Sequence, residues 1–132
     1  MEFCLAILLL ERKAGLGQFS DRVVRRPDVQ AMIRKINFYV DPEAEGAGFD
    51  KMTSILKITL KDGKVINGKA AFGKGSPENP MTFDEAAGKF HGCAEYAGWP
   101  KAKAEKIVSF VRDLEAAPDL SALTLLLSAD QG

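Results

Sequence analysis

The feature that most constrains this chain is an unbroken apolar run, Phe3 to Leu10, lying almost at its first residue. Leu, Ala, Glu, Arg and Lys dominate residues 2–14, and Gly15 supplies a stop, so the spacing predicts a helix there. Two turns of that helix carry no polar face. A helix apolar all round must be covered all round, and each large side chain left in water forfeits roughly 1.5–3 kcal/mol of burial. A domain of 132 residues covers one side of a terminal helix and rarely both, so a further surface is expected to pack on it. The run is too short for a bilayer, which takes ~20 apolar residues. It is no signal peptide either, because Glu2 precedes it and Glu11-Arg12-Lys13 follows in place of a small-residue cleavage site. Cytoplasm is the default location.

Eighteen basic and 18 acidic residues give a formal charge of zero. That removes the electrostatic case for nucleic acid or an anionic membrane, since phosphate binding needs a surplus of Lys and Arg. The basic run Arg22–Arg26 is diluted by Asp21 and Asp28 and reads as a solvated helix face. Cys4 and Cys93 sit in apolar helical contexts with no metal-type spacing. They are expected to be buried free thiols in a reducing compartment, although the residues alone leave a disulfide open.

Beyond the Gly15–Gly17 loop, Ser20 is placed to cap a short turn and Pro27 to open a helix over about 27–35. Val29, Met32, Ile33 and Ile36 follow the i, i+3, i+4, i+7 pattern of one buried face. Ile36, Phe38 and Val40 then alternate with Asn37, Tyr39 and Asp41, which predicts a half-buried strand ended by Asp41-Pro42. Glu43–Lys51 is expected to be a mobile loop. Thr53–Leu60 and Lys64–Phe72 flank Lys61-Asp62-Gly63, a hairpin signal whose register can be argued. A two-residue Asp-Gly loop sets Leu56 opposite Lys69 and mixes the faces. A three-residue loop with Gly63 left-handed pairs Ile58 with Ile66, Leu56 with Gly68, Lys57 with Asn67 and Thr59 with Val65. It leaves one face apolar, so it should win.

The Gly73–Pro80 linker leads to Thr82-Phe83-Asp84-Glu85, a capping box opening a helix to about Ala97, with Gly98 as its stop. Pro100 opens another helix, with Ala104, Ile107, Val108, Val111 and Leu114 on its buried stripe. Pro118 breaks it, and Asp119 can cap a last helix bearing Leu120, Leu123 and Leu125–Leu127. The order is α-α-β-β-β-α-α-α: an α+β fold with a small, largely antiparallel sheet of about three strands and flanking helices.

No convincing reactive constellation emerges. His91 is the one histidine, and Cys93, two residues along the same helix, points to a different face, so the two cannot act as a dyad. One His and two distant Cys make no metal site. Gly73-Lys74-Gly75-Ser76 follows a strand but departs from the phosphate-loop pattern in spacing and in its proline-rich continuation. A flexible loop is the simpler reading, with Lys74 kept as a candidate contact to an anionic substrate held elsewhere. Asp84, Glu85 and Glu95 read as capping and solvated residues, and Tyr39 and Tyr96 have no base partner.

Several segments together resemble the C-terminal part of the MmgE/PrpD family. They are Leu60-Lys61-Asp62-Gly63-Lys64, Gly75-Ser76-Pro77-Glu78-Asn79-Pro80-Met81-Thr82, and Lys89-Phe90. The opening Glu2–Ala6 with Leu8–Leu10 and Phe19, and the closing Leu114-Glu115 and Leu123–Leu127, fit in order and spacing. Members include 2-methylcitrate dehydratase, cis-aconitate decarboxylase and iminodisuccinate epimerase. The resemblance implies a larger enzyme with a helical domain and a smaller α+β domain, of which residues 1–132 form the latter. It implies proton transfer beside a carboxylate of a small polycarboxylic acid, without metal or cofactor. Such chemistry needs a general base and cationic groups that hold the carboxylates. The family's acid–base His, Asp, Thr and Lys lie in segments preceding this region, including a lysine-proline-cysteine-histidine stretch, and none maps onto this chain. No catalytic, cofactor-binding or metal-binding residue is therefore carried over. Met1 is expected to correspond to an internal position of such an enzyme.

The expectation is thus the C-terminal part of a 2-methylcitrate dehydratase-like lyase or isomerase, inactive alone. Helices at 1–14 and about 100–130 would pack on a missing N-terminal helical domain, and a homo-oligomer is expected as well. The alternative is a non-enzymatic α+β module dimerising through helices at 1–14 and 119–127. In either case the isolated chain should self-associate or bind a hydrophobic dye through Phe3–Leu10 and Leu123–Leu127. A dye-silent monomer in sedimentation would count against both.

Overall fold

The computed structural model describes residues 1–49 and 51–128. Its first helix, α1, runs Glu2–Glu11 and ends on Arg12 in the left-handed conformation. A single turn of 3-10 helix at Leu16–Gln18 leads to α2, Asp21–Val24, whose cap is the Ser20 hydroxyl accepting the Val23 N–H. The third helix, α3, spans Pro27–Ile33 with Pro27 in its first turn, as the residues predict. These three helices enclose a small core. Ile7 and Val29 are fully buried and Val23 nearly so, with Phe3 and Ile33 packed against them. The Phe3 and Phe19 rings meet edge to face at 5.4 Å.

Polar ties close the same unit. Arg26 lies between two carboxylates, bonded to Glu11 at the end of α1 and to Asp28 at 2.6 Å. Gln18 donates its side-chain amide to Glu11 at 3.1 Å, and its carbonyl oxygen accepts the Gly15 N–H at 2.9 Å. The Arg26 guanidinium, followed by Gln18, holds the Glu11 carboxyl below its ordinary range, and Arg26 does the same to Asp28.

The expected strand at Ile36–Val40 does not form. The chain leaves α3 through turns closing on Met32 and Ile33, runs through an irregular connector, and enters a short helix, α4, at Pro42–Gly46. Asp41 caps α4 through its carboxylate, which accepts the N–H groups of Glu43 (2.9 Å) and Ala44 (3.2 Å). Asp41-Pro42 is thus a helix start rather than a strand stop, and α4 also replaces the first part of the mobile loop predicted over Glu43–Lys51. Phe38, Tyr39 and Val40 remain exposed. Alternation supplies a strand's faces; a partner strand supplies its hydrogen bonds, and none is within reach of this connector among the described residues.

The hairpin matches the argued register throughout. Strands β1 (Ser54–Thr59) and β2 (Val65–Ala70) are antiparallel, with Ile58 opposite Ile66, Leu56 opposite Gly68, Lys57 opposite Asn67 and Thr59 opposite Val65. The three-residue loop closes through Leu60 N–H to the Lys64 carbonyl at 2.8 Å, with Gly63 at φ 85°. Among the described residues the sheet has two strands, not three; the α+β class stands. Among the described residues no helix covers the apolar face, and Leu56 and Ile66 are 38% and 46% exposed. Two strands alone are marginal in water.

The last part is helical. Helix α5 (Phe83–Tyr96) ends before Gly98 at φ 73°, and α6 (Lys101–Arg112) packs antiparallel to it through Ala94, Ala104 and Ile107. Trp99 in the connection stacks edge to face on Phe90 at 6.3 Å and carries the Lys103 ammonium 4.4 Å above its ring. A 3-10 turn at Leu114–Ala116 and the Asp119 carboxylate, accepting the Ser121 N–H at 2.8 Å, lead into α7 (Ser121–Ser128). Val111 and Leu114, expected on the buried stripe of α6, are exposed, as are Leu120, Leu125 and Leu127.

The total accessible surface is 10348 Å², against roughly 6,800 Å² for a self-contained fold of this mass. Large apolar side chains on α1, the hairpin and α7 are among the groups left exposed. On α1, Ala6 and Ile7 are fully buried while Leu8 and Leu9 are 44% and 39% exposed. Met1, Leu5, Leu8 and Leu9, spaced i, i+4, i+7 and i+8, make a second apolar stripe opposite the buried one.

Two outcomes test this packing. Ile7→Ala should cost about 2–5 kcal/mol in urea unfolding, whereas Leu56→Thr, on the open hairpin face, should stay within about 0.5 kcal/mol. Glu11 and Asp28 bind protons more weakly when folded, so their stabilisation is complete above the ordinary carboxylate values of 4.5 and 3.8 and is lost as pH falls through the lowered ones. Glu11→Gln should therefore reduce the acid-side fall of the unfolding midpoint; an unchanged profile would show that the cluster contributes nothing.

Candidate functional site

The candidate site is built on the linker between β2 and α5, around Lys74. The linker is folded back on itself. The Gly75 N–H donates to the Asn79 carbonyl at 2.7 Å, the Asn79 N–H to Ser76 at 3.0 Å, and the Ser76 N–H to Gly73 at 3.2 Å. The Asn79 side-chain amide reaches the Phe72 carbonyl at 3.4 Å. Gly75 sits at φ 97°, a conformation that favours glycine; a Cβ there would come within 2.9 Å of the Met81 methyl, the end of a flexible side chain that can move aside. The Ser76 hydroxyl is buried without a hydrogen-bond partner among the described residues.

Thr82 ends the linker and caps α5. Its hydroxyl accepts the Glu85 N–H at 3.2 Å, and the Thr82 N–H donates to Glu85 Oε2 at 2.8 Å, the reciprocal pair expected of the capping box. The second carboxylate oxygen, Oε1, lies 3.0 Å from Lys74 Nζ. Lys74, the candidate substrate contact, is therefore held by Glu85, with the two side chains 47% and 46% exposed. The Thr82 N–H first and Lys74 second hold the Glu85 carboxyl below its ordinary range. Next to it, Asp84 pairs with Arg112 from the end of α6 at 2.6 Å, and that guanidinium also lies 4.3 Å from the Phe83 ring centre.

The other singled-out residues do not converge. His91 is half-buried and Cys93 exposed on successive faces of α5, so Cys93 is not the buried thiol expected; Cys4 is half-buried and both are free. Tyr39 and Tyr96 are exposed on separate elements. Among the described residues no three His, Cys, Asp or Glu side chains cluster as a metal site, and no helix is long and apolar enough to cross a membrane. A shallow groove beside the end of α6, lined by Phe110, Ala116, Ala117 and Pro118, holds Ser109 and Asp113 as its polar side chains.

Among the described residues, the carboxylates whose proton affinity the fold alters are Glu2, Glu11, Asp28, Glu85 and Asp119, and each is made a weaker base. A general base for carbon acids needs the opposite shift. The linker's fold was not foreseen from composition. The signal for the Lys74–Glu85 contact lay in the capping box, which fixes Glu85 at the helix entrance that the linker must reach.

Comparison with known proteins places this geometry in context. The chain is 27% identical over 119 residues to cis-aconitate decarboxylase of Mus musculus, covering 90% of this chain and 24% of that protein. It is 24% identical over 127 residues to cis-aconitate decarboxylase of Homo sapiens, covering 96% and 26%. The chain thus spans about a quarter of the length of the curated relatives it matches. The family model described as the MmgE/PrpD C-terminal domain matches residues 1–116, from α1 through the 3-10 turn after α6, and the chain belongs to that family.

Proposed function

We propose that this chain is the C-terminal portion of a lyase or isomerase acting on a small polycarboxylic acid, and that it works only when joined to a helical domain. The observation that carries the reading is the pairing of a family match over residues 1–116 with an apolar surface left open on α1. The relatives it resembles are decarboxylases of a tricarboxylic acid, and they are about four times as long as the matched region. The length they carry beyond it is the natural source of both the missing cover and the missing base.

The division of labour follows from the chemistry. Loss of a proton or of carbon dioxide beside a carboxylate builds negative charge that cations must stabilise and a base must initiate. This chain offers cations, Lys74 among them, and carboxylates tuned away from basicity. Its role is to close over the cleft, hold substrate carboxylates and exclude water, with the stripe Met1, Leu5, Leu8 and Leu9 seated on the helical domain. As in the family at large, the chemistry is taken to run without a metal. The competing cover for the same stripe is a second copy of the chain, and the test separates the two.

Co-expressed with the helical portion of a relative, the chain should form a stable one-to-one complex that turns over at least one member of a panel of small di- and tricarboxylates. Alone it should dehydrate no 2-methylcitrate and decarboxylate no cis-aconitate. Leu5→Ser combined with Leu9→Ser should abolish the complex while leaving the chain folded, since both side chains face away from Ile7. Homodimers that ignore the helical portion, or turnover by the isolated chain that depends on His91, would sink the reading.

A further inference from the structure

We propose that Lys74 is a carboxylate-binding residue whose anion position is held by Glu85 in the unliganded chain, and that a small polycarboxylate displaces Glu85 from the ammonium. The inference rests on the reading above and names the group by which this domain would hold substrate.

Three observations carry it. The first is rigidity at the base of the side chain. Lys74 stands between Gly73 and Gly75 in a linker pinned at Gly75–Asn79, Asn79–Ser76, Ser76–Gly73 and Asn79–Phe72. Its backbone is already ordered, so engaging a ligand costs little further entropy there. The second is the nature of the bond it makes. The pair with Glu85 is half open to solvent on both sides at 3.0 Å, and exposed ion pairs of this kind are weak. An incoming polycarboxylate presents the same chemical group, with further carboxylates to spend on neighbouring donors. The third is that Glu85 does not depend on Lys74 for its place. Its Oε2 is anchored on the Thr82 N–H at 2.8 Å and its own N–H on the Thr82 hydroxyl at 3.2 Å, so the capping box survives when Oε1 is released.

The neighbouring charges set a threshold on what can bind. Asp84 is neutralised by Arg112 at 2.6 Å, but Glu85 stays beside Lys74 after displacement and repels the newcomer. A monocarboxylate gains one contact and meets that repulsion. A tricarboxylate carries more charge to the same ammonium and so offsets that repulsion better. The Lys74–Glu85 pair therefore acts as a placeholder that favours multiply charged acids over single carboxylates.

The substitutions separate this role from a structural one. Glu85→Gln keeps the helix cap, because glutamine serves equally at that position of a capping box, yet removes the competing charge. Lys74→Gln removes the anchor. The measurement is the movement of backbone amide resonances of the 132-residue chain on titration with citrate at constant ionic strength, with acetate as the control. Citrate should shift Gly73–Ser76 in the unmodified chain, bind Glu85→Gln roughly threefold to fivefold more tightly, as loss of an exposed ion pair implies, and leave Lys74→Gln unmoved. Equal affinity in Glu85→Gln and the unmodified chain overturns the proposal. So do binding that persists in Lys74→Gln, acetate binding as strong as citrate, and no shift at Gly73–Ser76. None of these results touches assembly with the helical domain, which is read separately from complex formation.

Discussion

The packing of Ile7 against Val23 and Val29 governs what the rest of the structure is able to do. Once that face of α1 is turned inward, the 100° advance per residue sends Leu5, Leu8 and Leu9 to the other side, and no rotation of the helix buries both. The Arg26 contact to Glu11 fixes the far end of α1 in the same orientation. The exposed stripe is thus the geometric consequence of a helix that is apolar on every side and supported from one. An apolar surface of that kind is a docking surface or a liability, and membership of a family whose curated relatives are about four times longer favours the first.

The hairpin raises the same issue in strand form. Its register was legible because one pairing keeps Leu56, Ile58 and Ile66 together and any one-residue slip scatters them. Gly63 added a positional constraint that only a left-handed turn residue meets. Capping residues were legible for a related reason: Ser20, Thr82 and Asp119 each act within three residues of their own position, so local sequence contains the whole interaction, whereas Asp41, read as the end of a strand, turned out to cap α4 in the same way. What failed was the step from pattern to partner. Ile36–Val40 alternates like a strand, but pairing is a tertiary event, and the Asp41 cap turns the chain into α4 directly after it. The same gap explains Val111 and Leu114, whose helical spacing was right and whose cover is not provided by α5 or α7.

The site divides along the same line. Lys74 was singled out because a cation between two glycines has room to meet an anion, and its ammonium does meet one. That the anion is Glu85 depends on the linker folding back through Asn79, a contact seven residues removed from Phe72 that composition does not announce. The contact of Arg112 with Phe83, which fastens the end of α6 to the start of α5, was missed for the same reason. It needs both helices in place before the charge finds its ring.

These features together separate holding from reacting. Proton transfer beside a carboxylate asks for a base whose proton affinity is raised, usually by burial away from cations. Among the described residues every altered carboxylate is drawn the other way by a backbone N–H, an ammonium or a guanidinium, and the linker's cation stands half in solvent. Cations placed this way are suited to binding charge that is already present, and they gain strength when water is removed from around them. Under the proposed reading, burial of the α1 leucines would drive docking of the covering domain, and any removal of water from around Lys74 by that domain would strengthen the lysine's hold on a carboxylate.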